Sequence, residues 1–307
     1  MDHFIRSLLA IVFAWALPFP ASADFASGKA AHDRGDYAQA FADFTAGAQS
    51  GDAQAQFWAG DMLLYGTGVE RDYAGALRWF AEAAAKGHDR AQNNLGVMYQ
   101  TGQGVEPDLE RAAQYFAMAA EQGNTVSQVN LGRLHETGRG IRHDEQAALR
   151  WYLRAAKAGD ARGQTNAGRM YLQGKGTAKQ FNEAANWFRL AIEQGDAAAM
   201  NNLGVMHQNG FGVLPDKSEA KSLFTRAAEK GHVRAQINLA ALHMAETDDP
   251  DRTVLAYMWF WIAQTSGSKT AAEGIGRLQA VMSAEEIARG QSMASAWLEA
   301  RDEDTPR

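Results

Sequence analysis

The chain reads as an all-α protein, a solenoid of αα-hairpins with a 36-residue period. Three observations carry that reading. Glycine stands in one register at 51, 87, 123, 159, 195, 231 and 267. A second glycine column runs through 60, 96, 132, 168 and 204, with Ala240 in the sixth place. An aromatic column runs Phe80, Phe116, Tyr152, Phe188, Phe224 and Phe260, four residues beyond an alanine column that starts at Ala76. Fixed periods of this length mark stacked units, each burying its apolar face only against its neighbours.

One unit shows how the elements follow from the residues. Ala91, Leu95, Met98 and Tyr99 fall on one stripe at i, i+4, i+7 and i+8, which predicts an amphipathic helix over about 88–101. Gly102 and Gly104 then admit positive φ, and Pro107 stops the helix. Asp108 is placed to cap a second helix, about 109–121, with Ala112, Tyr115, Phe116, Ala119 and Ala120 on its apolar face. Asparagine or aspartate after Gly123 and its equivalents starts the next unit. A glycine inside the first helix costs ~1 kcal/mol of helix propensity. Close packing against the second helix is the simplest offset.

These residues resemble the Sel1-like repeat family, a relative of the tetratricopeptide repeats. The match lies in Ala91, Leu95, Gly96, Met98 and Tyr99, in the Gly102-x-Gly104-Val105 loop, and in the alanine and aromatic spacing of the second helix. It covers about residues 25–300 and implies a right-handed superhelical solenoid. The sixth unit departs from the pattern. Ala240 replaces glycine and AETDDPDR replaces the Gly-x-Gly loop, while Ala256, Trp259, Phe260 and Ala263 keep its second helix.

In chain order, residues 1–23 read as a secretory signal peptide. Arg6 precedes an apolar stretch over 7–17, and Ala21-Ser22-Ala23 fits cleavage after Ala23. A stretch that short is below what a bilayer-spanning helix needs. No cysteine follows, so no lipid anchor is expected. The mature chain is then periplasmic or secreted, with no membrane insertion after cleavage. Residues 24–50 are an N-terminal capping hairpin, 25–34 plus 38–49. Six repeats occupy 51–266, and two capping helices fill 267–300, about 269–281 and 284–300. Ser283 and Glu286 form a capping box for the second of these. Residues 301–307 are a charged, disordered tail. The whole chain lacks cysteine, so packing alone must hold the stack.

Net charge is −6, from 30 Lys and Arg against 36 Asp and Glu, and no basic run exceeds two residues. Nucleic acid is excluded as a partner on that ground. Catalytic constellations are nearly absent. Ser266-Gly-Ser-Lys269 matches Ser-x-x-Lys but lacks the companion motifs of penicillin-recognising enzymes, and reads as a chance match. His135, His207 and His243 share the column of Tyr99 and Tyr171 and read as half-buried aromatics at a helix end. No carboxylate or third ligand recurs beside them, so neither metal nor cofactor is called for.

Two sets of residues remain as binding candidates. The asparagine column Asn94, Asn130, Asn166, Asn202 and Asn238 is either an internal ladder meeting backbone groups between units, or a row of amides that grips an extended peptide. By analogy with tetratricopeptide superhelices, the first helix of each unit lines the concave side. Its variable positions are then the partner surface: Arg90, Asn93 and Gln100, then Arg133 and Glu136, then Arg162 and Arg169, then Asn201 and Gln208, and finally Arg234. The arginines suit a carboxylate of a peptide or cell-wall fragment.

The function that follows is a non-catalytic adaptor binding a protein or peptide. The family resemblance implies roles in envelope assembly, export or signalling. It also implies the alternative, a weak enzyme acting on β-lactams or peptidoglycan. A pure structural spacer is the third reading.

Overall fold

A computed structural model describes residues 25–303, and every regular element among them is an α-helix. The signal-peptide expectation and residues 304–307 lie outside the described residues. The chain divides into two compact units at Asp108/Leu109. The first carries α1 (Phe25–Asp33) and α2 (Tyr37–Gln49), α3 (Ala53–Tyr65) and α4 (Tyr73–Ala85), and α5 (Asp89–Thr101). The second opens with α6 (Leu109–Glu121), α7 (Thr125–Thr137) and α8 (Glu145–Lys157). It continues through α9 (Ala161–Gln173), α10 (Phe181–Glu193), α11 (Ala197–Asn209) and α12 (Lys217–Glu229). It closes with α13 (Val233–Ala245), α14 (Arg252–Thr265), α15 (Lys269–Gln279) and α16 (Ala284–Glu303).

The helix bounds follow the sequence reading to within two residues at most ends. The C-terminus differs: α16 continues to Glu303, where a disordered tail was expected from 301. The helices start as expected. Asp52, Asn124, Asp160 and Asp196 accept the N–H three residues on, and so does the ring Nδ1 of His88 and His232, at 3.2 Å. Asp72, Asp144 and Asp216 cap the second helices in the same way, whereas Gln180 at that register makes no side-chain cap bond.

The glycine column has a direct steric cause. A Cβ on Gly60 would stand 2.9 Å from the Phe80 ring, and one on Gly168 or Gly204 would stand 2.7 Å from Phe188 or Phe224. Each aromatic is fully buried. Within a hairpin the ring therefore packs directly against the glycine, and the two helices approach as no alanine would allow. The sixth hairpin solves the problem differently: Phe260 packs over Gly274 of α15, which leaves Ala240 in α13 harmless.

Neighbouring hairpins are joined by a column that lies two residues before the asparagines. Gln56, Gln92, Gln128, Gln164 and Gln236 are buried, and each donates its Nε2 to the carbonyl eight residues earlier, at 3.0–3.4 Å. Those carbonyls, from Ala48 to Ala228, end the preceding second helix, where intrahelical donors have run out. The internal ladder is thus made of glutamines. The asparagines two residues on are half-buried, and the bonds seen for them run to side chains, as from Arg169 to Asn166 and from Asn238 to Asn201.

Candidate functional site

In the first unit, the C-terminal end of α3, the loop after it and α5 enclose a cleft of about 420 Å³. Leu64, Tyr65, Arg71 and Tyr73 form one side, and Asn93, Asn94, Val97 and Met98 form the other. Asn93, Asn94 and Val97 lie half-buried on one side of α5, while Met98 belongs with Ala91, Gln92 and Leu95 to the buried stripe and reaches the cleft from there. Tyr65 is 62% exposed, an unusual setting for so large an apolar surface. Arg71 bonds the Tyr73 hydroxyl at 3.3 Å and lies 5.8 Å from its ring. Amides beside aromatic walls and one guanidinium suit an extended peptide: the amides pair with its backbone, the rings cover its side chains, and the arginine faces a carboxylate.

In the second unit, three expected surface residues turn out to be internally engaged. Arg169 clamps Glu136 with both guanidinium nitrogens, at 2.7 and 2.6 Å, and Lys175 and the Tyr152 hydroxyl complete the set at 3.2 and 3.1 Å. Burial alone would raise the Glu136 carboxyl, but the Arg169 guanidinium, with Lys175 and Tyr152, holds it at about 2. Burial and the Glu136 charge push the Tyr152 phenol upward. Arg169 and Glu136 are therefore a clamp between α7 and α9 rather than open partner contacts. Asn201 is likewise interior: it is 5% exposed and accepts from Asn238 at 2.8 Å. Thr165, at the same register one repeat earlier, is buried as well.

The remaining candidates keep an outward position. Arg90, Arg133, Arg162, Gln208 and Arg234 are exposed, and Gln100 is half-buried. Arg162 pairs with Asp160 at 3.2 Å, and Arg133 donates to Asn130 at 3.4 Å. In the cleft, Asn93 and Asn94 are brought together, 3.4 Å apart.

The Ser-x-x-Lys match does not assemble a nucleophile. Ser266 ends α14 and Lys269 begins α15, both exposed, and the helix start is capped by Ser268. The histidine column divides. His207 faces the Leu214 carbonyl at 3.2 Å, whereas His243 is 6% exposed with Glu246 and Asp249 beside it. The sequence reading had found no carboxylate there, because these two lie in the one loop that breaks the repeat. No described helix is long and apolar enough to cross a membrane.

Comparison with known proteins agrees with this architecture. The Sel1 repeat model matches residues 53–88, 89–124, 125–160, 161–196 and 197–232, more than half of the chain. The sixth hairpin, α13 and α14, lies beyond the last match. No curated protein matches the chain. Among solved structures, a Sel1 repeat protein from Oxalobacter formigenes superposes with a TM-score of 0.73 at 27% identity, covering 79% of this chain and 97% of its own. A protective antigen of uropathogenic Escherichia coli strains, displaying an SLR fold, gives 0.58 at 26% identity, with 92% and 71% covered. Sel1 repeats generally serve as protein-interaction modules, typically without catalysis. With the 36-residue hairpins, the glycine–aromatic contacts and these matches together, the chain belongs to the Sel1 repeat family.

Proposed function

We propose that this protein is an exported, non-catalytic adaptor that holds an extended peptide segment of a protein partner. The observation that carries the reading is the cleft between α3 and α5, where Tyr65 stands exposed opposite the paired amides of Asn93 and Asn94. The segment's backbone pairs with the amides, and an apolar side chain lies against Tyr65. Arg90, exposed at the start of the same helix, adds a positive charge for an acidic residue of the partner. The leader-like first 23 residues support export, and the periplasm is the destination that fits them.

The test is crosslinking and capture of partners from the envelope of the native organism with the mature chain. Tyr65→Ala combined with Asn94→Ala is expected to cut capture of a specific partner about tenfold with the fold intact by circular dichroism. Unchanged capture by a folded double variant overturns the cleft as the site. Peptide sequencing of the chain from a periplasmic fraction is expected to start at Asp24, and an intact Met1 in a cytosolic fraction overturns export.

A further inference from the structure

The sixth hairpin is where the repeat breaks, and its replacements are chemically related to one another. Glu246 stands at the register of Gly210, the glycine that closes α11 with φ of 70°. Without a glycine the chain cannot enter that left-handed turn cheaply, and Glu246 closes α13 at φ −84° instead. The loop then folds back: the Asp249 N–H donates to the Glu246 carbonyl at 3.3 Å, and Asp249 Oδ1 accepts from the Asp251 N–H at 2.8 Å. This places the Asp249 carboxylate beside Glu246 and His243. One donor atom from each of the three lies within 4.8 Å of the other two.

His243 is the second observation. Its side chain is more than nine-tenths buried, and its Nδ1 has no hydrogen-bond partner. That nitrogen lies 3.3 Å from Glu246 Oε2, turned toward the carboxylates without the alignment of a hydrogen bond. A buried imidazole nitrogen without a partner is costly unless something binds it. A third feature completes the group. Lys221 reaches across from α12 and places its ammonium 2.9 and 2.8 Å from the two Glu246 oxygens. Its register elsewhere holds Leu77, Ala113, Leu149, Ala185 and Tyr257, so the cation appears on the hairpin packed beside the one that gained the carboxylates.

We propose that His243, Glu246 and Asp249 bind a first-row divalent transition cation, with Zn²⁺ as the ion of best fit, and that Lys221 occupies the cation position when no metal is present. The two carboxylates and the lysine leave one net negative charge, and displacing the ammonium leaves two, matching a divalent ion. Lys221 is partly exposed, which lets its flexible stem swing into solvent. Burial and the Lys221 charge lower the His243 pKa, against the raising effect of Glu246 and Asp249. The imidazole ligand favours Zn²⁺ over Ca²⁺ and Mg²⁺, which take all-oxygen sites. Ligands at ~2 Å from one ion sit ~3–4 Å apart, so the loop closes by about an ångström on binding and leaves a coordination position for water. The ion would pin the loop that substitutes for the glycine turn.

The test is calorimetric titration of the tag-free mature chain with ZnCl₂ after removal of metal by chelator. One equivalent is expected to bind and to raise the melting temperature. His243→Tyr, the residue that two other repeats carry at this register, and Asp249→Asn are each expected to weaken binding at least about tenfold. Lys221→Met is expected to tighten it. Asp249→Asn alters a half-buried loop side chain and keeps the test available if His243→Tyr does not fold. No saturable binding at about 1 mM Zn²⁺ overturns the proposal. So does affinity unchanged by Asp249→Asn, or Ca²⁺ binding more tightly than Zn²⁺.

Discussion

Arg169 and Glu136, one repeat apart on α9 and α7, meet in a two-pronged ion pair that ties successive hairpins together. The pair also accounts for the one tyrosine in the aromatic column. Tyr152 keeps its ring on Gly132 like its phenylalanine counterparts and sends its hydroxyl to Glu136. A surface register in other repeats has here become a polar tie between two.

That tie predicts an acid-labile contribution to stability. The Glu136 pKa falls from an ordinary 4.5 to about 2 in the folded chain, so the carboxylate stabilises the fold at neutral pH. The contribution is lost as pH drops from about 4.5 toward 2, and is on the order of 2 kcal/mol after allowance for solvent screening. Urea unfolding at pH 7 and pH 3 is expected to show this loss in the native chain and a flatter dependence in Glu136→Gln with Arg169→Met. An equal acid slope in both would remove the pair from the account.

The glycine–aromatic contact predicts that a better helix former makes a worse protein. Gly204→Ala gains ~1 kcal/mol of propensity, yet its new methyl group would press on Phe224. Overpacking of this kind costs about 1–3 kcal/mol, so a net loss of stability is expected by urea titration. Ala240→Gly, where Phe260 sits elsewhere, is expected to lose about 1 kcal/mol of propensity and a further ~1 kcal/mol for its buried methyl group. A stabilised Gly204→Ala would contradict the steric reading.

The glutamine ladder has a natural gap, since Met200 stands where the other repeats carry glutamine. Met200→Gln supplies a donor for the Ile192 carbonyl and is expected to add about 0.5–1 kcal/mol; Gln128→Met is expected to remove a similar amount. Opposite signs for the two exchanges, read from chemical denaturation midpoints, are the outcome to look for. Matching signs would detach the column from inter-repeat bonding.

A missing cap offers a fourth check. Gln180 occupies the register of Asp72, Asp144 and Asp216 without capping α10. Gln180→Asp is expected to raise stability by about 0.5–1 kcal/mol, measurable as a higher melting temperature. No gain would mean that the local backbone cannot present the carboxylate to the first turn.

The period, the helix pairs and the capping residues were legible in the sequence because each depends on local rules repeated in register. Glycine columns fix turns and close contacts, and alanine with aromatic spacing fixes the buried face. Five repeats of the same compromise leave little room for another fold. What the sequence could not assign was which polar column faces inward. Asn94 and Gln92 lie two residues apart on one helix, and both columns repeat. Only the packing of one hairpin on the next puts the glutamine under the preceding helix end and leaves the asparagine beside it. Arg169 and Glu136 read as open charges until adjacent units brought them together across 33 residues. The His243, Glu246 and Asp249 group was hidden for the opposite reason: its carboxylates sit in the loop that abandons the period, where register says nothing. The sequence by itself determined the repeating hairpin, since helix periodicity and glycine sterics act within 36 residues. Tertiary structure decided which polar groups are spent inside and which remain for a partner, because burial and hydrogen bonding between hairpins depend on neighbours that no single repeat contains.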